Sequence, residues 1–172
     1  STPSARPKAK PSATADLFDQ GASDDMGDDA QASPETVTVA ATQYDTVLDW
    51  PTFDRWLARL QAAELVAFDT ETDSLDPLRA NLVGISLCVE PGKACYIPVA
   101  HEAPGVAAQL PRDAVLDALR PLLADPAKKK LGQHGKYDLH VLRRHGVVVA
   151  GYADDTLLES FVLNAGIARH DM

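Results

Sequence analysis

Cysteine is scarce in this chain of 172 residues: Cys88 and Cys95 are the only two. Their spacing places them on either side of a tight hairpin, which is neither a disulfide framework nor a metal-ligand pattern and fits a reducing cytoplasm. Long apolar runs are also missing, so no segment reads as a membrane span, and no secretory signal opens the chain. A basic excess is absent as well. The net charge is −9, the wrong sign for a general electrostatic grip on nucleic acid. The charge is uneven, however. Residues 1–36 carry seven acids against three bases, and the remainder carries eighteen against thirteen, leaving it only mildly acidic. The chain opens on Ser1 and closes on Met172 inside a polar run, as expected of a piece of something longer.

Large apolar side chains are nearly lacking in residues 1–36, which are rich in Pro, Ala, Ser and Asp. Such a segment cannot bury enough surface to offset its ordering entropy, so it is expected to be a disordered linker, with a folded unit over 37–172. That unit has 45% hydrophobic content in the whole chain to draw on, enough for one domain-sized core.

Thr36–Ala40 alternates like a short edge strand. Residues 51–63 predict a helix opened by Pro51, with Phe53, Trp56, Leu57 and Leu60 on one face. A buried strand follows at 64–70. After a turn at Asp76-Pro77, residues 81–89 form a second strand, and Pro91-Gly92 turns it into a third at 94–99. Three neighbouring strands with short turns make an antiparallel meander. Residues 111–124 then predict a helix with Val115, Leu116, Leu119, Leu122 and Leu123 inward. A short strand is expected at 128–132, its lysine run read as a solvated sheet end. A helix over 136–145 stops at Gly146, a short strand covers 147–153, and a helix runs from Asp155 to Leu163, ended by Asn164 and Gly166. A meander continuing into α/β crossovers is the opening of the ribonuclease-H-like fold, an α/β fold with a mixed sheet and acids gathered at it.

The chemistry concentrates in Leu65-Val-Ala-Phe-Asp-Thr-Glu-Thr-Asp-Ser-Leu75. Four apolar residues run into Asp69-Thr70-Glu71. Residues i and i+2 of a strand share a face, so Asp69 and Glu71 point the same way. Two carboxylates that close repel each other unless something positive sits between them. A hard cation such as Mg²⁺ or Mn²⁺ meets that need. Alone, an Asp-x-Glu is more often a solvated turn; the apolar strand before it and the hairpin after it favour the metal. A second stretch, Gly132-Gln-His-Gly-Lys-Tyr-Asp138, puts Asp138 in the first turns of a helix. If the strand before it lies beside the 64–70 strand, Asp138 faces Asp69. Taken alone it is equally well an acid favoured by a helix N-terminus.

Together, Phe68-Asp-Thr-Glu-Thr-Asp-Ser-Leu75, Tyr96-Ile-Pro-Val-Ala-His101, Gly132–Asp138, Asp155-Thr-Leu-Leu-Glu-Ser160 and Arg169-His-Asp-Met172 closely resemble the 3′→5′ exonuclease domain of bacterial DNA polymerase I. The resemblance runs in order from about Thr36 to Met172. It implies a nucleoid-associated cytoplasmic protein with a polymerase domain in the same parent chain. It also implies a proofreading reaction that removes nucleoside 5′-monophosphates from a single-stranded 3′ end. Two Mg²⁺ or Mn²⁺ ions about 3.5–4 Å apart would serve it. On this resemblance Asp69 bridges both ions, Glu71 binds the ion that activates water, and Asp138 holds the other. Leu75 would wedge against the terminal bases, with Thr72, Gln133 and His134 along the strand. Position 134 is usually Asn in the family; His134 can still donate a hydrogen bond, with a charge that depends on pH.

The family's third motif, Tyr-x-x-x-Asp, has no match here. Tyr152 and Asp155 are one residue too close, and Asp154 and Asp155 read as helix-start acids. The family places that motif a few dozen residues beyond Met172, so weak or absent activity is expected of this piece. In the linker, Ala15-Asp16-Leu17-Phe18 resembles the end of a sliding-clamp docking peptide, with Thr14 where that motif has Gln. Three other functions compete: a non-catalytic scaffold for a polymerase domain, an RNA-directed exonuclease of the same superfamily, and a haloacid-dehalogenase-type phosphatase. The phosphatase would use Asp69, Lys136 and Asp154-Asp155, but it needs parallel strands where a meander is expected.

Overall fold

A computed structural model describes residues 42–164. The predicted linker, Leu17 and Phe18, the Thr36–Ala40 strand, Gly166 and the Arg169–Met172 motif lie outside the described residues.

Strands β1 (Gln43–Thr46), β2 (Leu65–Thr72), β3 (Leu82–Glu90), β4 (Lys93–Pro98), β5 (Lys129–Gly132) and β6 (Tyr152–Asp155) form one mixed sheet in the order β1-β4-β3-β2-β5-β6. Helices α1 (Trp50–Ala62), α2 (Arg112–Ala124), α3 (Lys136–Arg144) and α4 (Thr156–Leu163) complete the elements. The expected meander is present: β2, β3 and β4 pair antiparallel, while β1 on β4, β5 on β2 and β6 on β5 are parallel. This is the ribonuclease-H-like arrangement that the sequence predicts.

Local chemistry explains the elements. Asp49 opens α1 by accepting the Thr52 N–H at 2.7 Å, and Pro51 sits in the first turn, where its missing N–H costs nothing. Phe53, Trp56 and Leu60 recur at helical spacing and are buried. The Trp56 indole N–H donates to Asp45 Oδ2 at 2.9 Å, tying the first helix to the edge strand β1. Gly92 takes φ 81° in the β3–β4 turn, a conformation that glycine enters without a Cβ penalty. The hairpin sets Leu87 opposite Cys95 and Cys88 opposite Ala94, and both thiols are free. In α2 the predicted valine and four leucines are all buried, and α3 buries Val141 and Leu142.

Three expectations need correction. The lysine run is not a solvated sheet end. Lys130 is fully buried and its ammonium donates to the Asp125 carbonyl at 2.6 Å. Lys128 donates to the carbonyls of Gln61, at 2.7 Å, and Ala63, which lie at and just past the end of α1. Long stems let these lysines carry their charge to backbone carbonyls at and beyond the ends of α1 and α2. The last strand begins at Tyr152 rather than at 147, because Val147–Gly151 serve as its approach, with Gly151 at φ 69°. The key strand extends to Thr72, past a bulge between Glu71 and Thr72, so both acids lie within regular pairing or at its rim. No helix among the described residues is long and apolar enough to cross a membrane.

Candidate active site

Strand β2 carries the site because its two neighbours end at different points. On one side β3 pairs with it through Thr72, and sets Asp69 opposite Ser86 and Glu71 opposite Gly84. On the other side β5 stays in register only as far as Ala67 opposite Leu131. Beyond Ala67 that edge of β2 has backbone groups without a strand partner. The first turn of α3 fills the gap. Asp138 Oδ1 accepts the Thr70 N–H at 2.9 Å and the Thr70 hydroxyl at 2.5 Å. A side chain thus takes the place of a missing strand, and it is the carboxylate flagged by the sequence.

Electrostatics follow from this placement. Asp138 is 3% exposed, and burial raises its pKa above the usual carboxylate value even though the two Thr70 bonds and the nearby His134 favour the charged form. Asp69 is half-buried. Burial, then the charge of Asp138, then that of Glu71, push its carboxyl up to about 6. Glu71 is exposed at the rim. None of the three joins an ion pair among the described residues. The structure therefore brings Asp69 within electrostatic reach of both other acids.

Does this donor set suit divalent ions? The acids are all hard oxygen donors, Asp69 is repelled by the other two, and none of the three is in a salt bridge among the described residues. Both Thr70 bonds fall on the Oδ1 of Asp138. That chemistry fits. The carboxylates are not drawn into a closed cage, since no group of three His, Cys, Asp or Glu among the described residues is close-set enough to hold an ion by itself. Mg²⁺ does not need a close-set protein cage, because it usually keeps several waters.

The other predicted residues fall around this centre. The Thr72 hydroxyl donates to the Ser74 carbonyl at 3.0 Å and meets the Tyr137 hydroxyl at 2.5 Å. Tyr137 also donates to the Ser74 carbonyl, so α3 pins the start of the loop after β2. Asp73 closes that loop by accepting from the Asn81 N–H at 2.7 Å and its side-chain amide at 2.8 Å. At its tip Leu75 is 96% exposed, an apolar side chain held out into solvent. Gln133 and His134 lie in the turn between β5 and α3. The Gln133 Oε1 accepts the Thr156 hydroxyl, and His134 is exposed, with φ 55°. The Tyr96 hydroxyl stands where a side chain on Gly84 would be, and meets His101 Nε2 at 2.5 Å.

Thr70, Tyr137, Tyr152 and Thr156 make hydrogen bonds around these residues that the sequence does not reveal. Thr70 and Thr156 had no signal, since a threonine in a strand or a helix start is ordinary. Asp155, a helix-start acid by sequence, is the N-cap of α4, accepting from Leu157 N at 3.1 Å and Leu158 N at 3.4 Å.

Comparison with known proteins places the chain in a family. A family model described as 3′-5′ exonuclease matches residues 44–168. DNA polymerase I of Pseudomonas aeruginosa is 51% identical over 150 residues, which are 86% of this chain and 16% of that protein. The chain therefore spans about a sixth of that relative's length. Among solved structures, Brucella melitensis NrnC with bound Mg²⁺ is 25% identical with a TM-score of 0.52, covering 77% of this chain and 58% of its own. Trypanosoma brucei RNase D in complex with RNA U12 reaches a TM-score of 0.58 at 19% identity, over 72% of this chain and 41% of that one, a likeness of fold. The chain belongs to the 3′-5′ exonuclease family, in the form carried by DNA polymerase I.

Proposed function

We propose that this chain is part of the proofreading domain of a bacterial DNA polymerase I, and that the full-length protein hydrolyses the last phosphodiester of a single-stranded DNA 3′ end to release a nucleoside 5′-monophosphate. Residues 37–172 would carry the exonuclease portion, 1–36 the linker before it, and a polymerase domain would share the parent chain at the nucleoid. Leu17 and Phe18 would dock on a sliding clamp, which Leu17→Ala with Phe18→Ala should abolish. The observation that carries the reading is the trio Asp69, Glu71 and Asp138, with the Asp69 carboxyl raised to about 6 by burial and by its two neighbours.

Exonucleases of this family generally work with divalent metal ions, and the related NrnC structure holds Mg²⁺. Asp69, Glu71 and Asp138 would hold two such ions. Bound there, the ions supply a Lewis acid that lowers the pKa of the attacking water and neutralises charge on the departing 3′-oxygen. The remaining work belongs to the protein. Thr70 fixes Asp138 from its own strand. Leu75, exposed at its loop tip, would insert beside the terminal base, where stacking and apolar contact tolerate any base identity. Gln133 and His134 would meet the sugar-phosphate strand, and Thr72 would lie at the entrance.

The test is Mg²⁺-dependent release of nucleoside monophosphates by the full-length protein, from a single-stranded DNA oligonucleotide with a free 3′-hydroxyl. Asp69→Ala should abolish release. Equal digestion by that variant, or release from the 5′ end, would sink the proposal; faster digestion of the matching RNA oligonucleotide would replace it with the RNA-directed reading. The scaffold reading is disfavoured by the retention of all three carboxylates.

A further inference from the structure

The turn between β5 and α3 is gripped from outside by one dipeptide, and nothing in the site described above accounts for the grip. Asp155 Oδ1 accepts the His134 N–H at 3.0 Å, and Oδ2 accepts the Gly135 N–H at 2.9 Å. The Tyr152 hydroxyl donates to the same Oδ2 at 2.9 Å. Next along the chain, the Thr156 hydroxyl reaches the Gly132 carbonyl at 3.4 Å and the Gln133 side-chain carbonyl. All three residues of the turn are held, His134 and Gly135 through backbone and Gln133 through its side chain, and so is Gly132 at the end of β5.

This is more than a helix cap requires. Capping α4 occupies Asp155 Oδ1 with Leu157 and Leu158, yet the carboxylate also spends both oxygens across the sheet. The geometry is built to receive it. A Cβ on Gly135 would lie 2.0 Å from the Tyr152 hydroxyl oxygen and one on Gly132 2.8 Å from it, so the turn has no side chains where the Tyr152 ring passes. That ring packs edge-on against Phe68, at 6.1 Å between centroids, and Phe68 precedes Asp69. His134 is the one described non-glycine residue with positive φ. A left-handed histidine costs conformational energy, and the surrounding bonds must hold it. The two peptide N–H groups that follow from this twist are the ones Asp155 accepts.

We propose that Asp155 and Thr156 are positioning residues that set the shape of the Gln133-His134-Gly135 turn, and through it the approach of the DNA strand to Asp138. The inference rests on the proofreading reading above. Charge on Asp155 holds the backbone of the turn, and Thr156 orients the Gln133 amide. Rotation of the turn would move Gln133 and His134 together and shift the start of α3, where Leu139 N bonds to the Gly135 carbonyl at 2.9 Å.

Asp155→Ser and Thr156→Val separate this role from a merely structural one. Serine still caps α4 but is too short to span to His134 and Gly135. Valine keeps the shape of threonine without the hydroxyl. In the full-length protein, both variants should raise KM for a single-stranded DNA 3′ end about tenfold while kcat falls less, and Thr156→Ser should restore it. Amide exchange at His134 and Gly135 should accelerate at least tenfold in Asp155→Ser and hardly in Asp155→Asn at Oδ1-bonded His134. Wild-type kinetics with unchanged exchange in both variants would overturn the assignment. A wild-type protein with no DNA digestion would instead defeat the proofreading reading, while accelerated exchange in Asp155→Ser would still support the grip on the turn.

Discussion

Thr70 gives both its N–H and its hydroxyl to one oxygen of Asp138, across 68 positions of sequence. The bond pair seals the edge of β2 where β5 departs, and it fixes the acid that the sequence could only place on a helix. Thr70→Val should remove one donor and leave a buried carboxylate under-satisfied. The expected cost is about 1–3 kcal/mol in denaturant unfolding, together with weaker Mn²⁺ binding by calorimetry. Thr70→Ser should recover most of both. A valine variant as stable as wild type, with the same Mn²⁺ affinity, would contradict the arrangement.

Neutralising Asp69 should act in opposite directions with and without metal. In EDTA, Asp69→Asn relieves repulsion from Asp138 and Glu71. After discounting for its partial exposure, the gain should be about 1 kcal/mol, or roughly 2–4 °C in melting temperature. With excess Mg²⁺ the wild type should be stabilised and the variant should not. Thermal melts of both proteins in both conditions decide it, and identical Mg²⁺ shifts would show that the acids hold no ion.

Leu75 makes a cleaner separation of folding from function. At 96% exposure it contributes little to packing. Leu75→Ala should change stability by no more than about 0.5 kcal/mol. Digestion of paired 3′ ends, which must be frayed open, should slow several-fold more than digestion of single strands. Equal slowing on both substrates would remove the wedge role.

Acid sensitivity should trace partly to Asp155. Partial burial works against its charged form, yet the N–H groups of Gly135, His134 and Leu158 and the Tyr152 hydroxyl together hold its carboxyl below the usual range. A carboxyl held low in the folded state adds stability that is complete above its unfolded pKa of about 3.9 and is lost as pH falls through the folded value. Wild type should therefore exceed Asp155→Asn in stability at neutral pH, with the gap closing as pH drops below about 4. Denaturant midpoints across pH 2–7 measure the gap; a constant gap would locate the effect in shape rather than charge.

The amino-acid sequence determined much of this molecule. Alternation and helical spacing are local properties, so the meander, the faces of α1 and α2 and the shared direction of Asp69 and Glu71 could be read directly. The family motifs added the identity of the candidate site. Charge was a poorer guide. A run of lysines looks solvated when only neighbours in sequence are considered, yet Lys128 and Lys130 end on carbonyls supplied by other elements. Tertiary structure alone decided which groups complete the site. Thr70 meets Asp138, and Asp155 meets His134, because parallel strands β2, β5 and β6 place their ends side by side, a register that depends on packing of the whole sheet and leaves no trace in either local stretch.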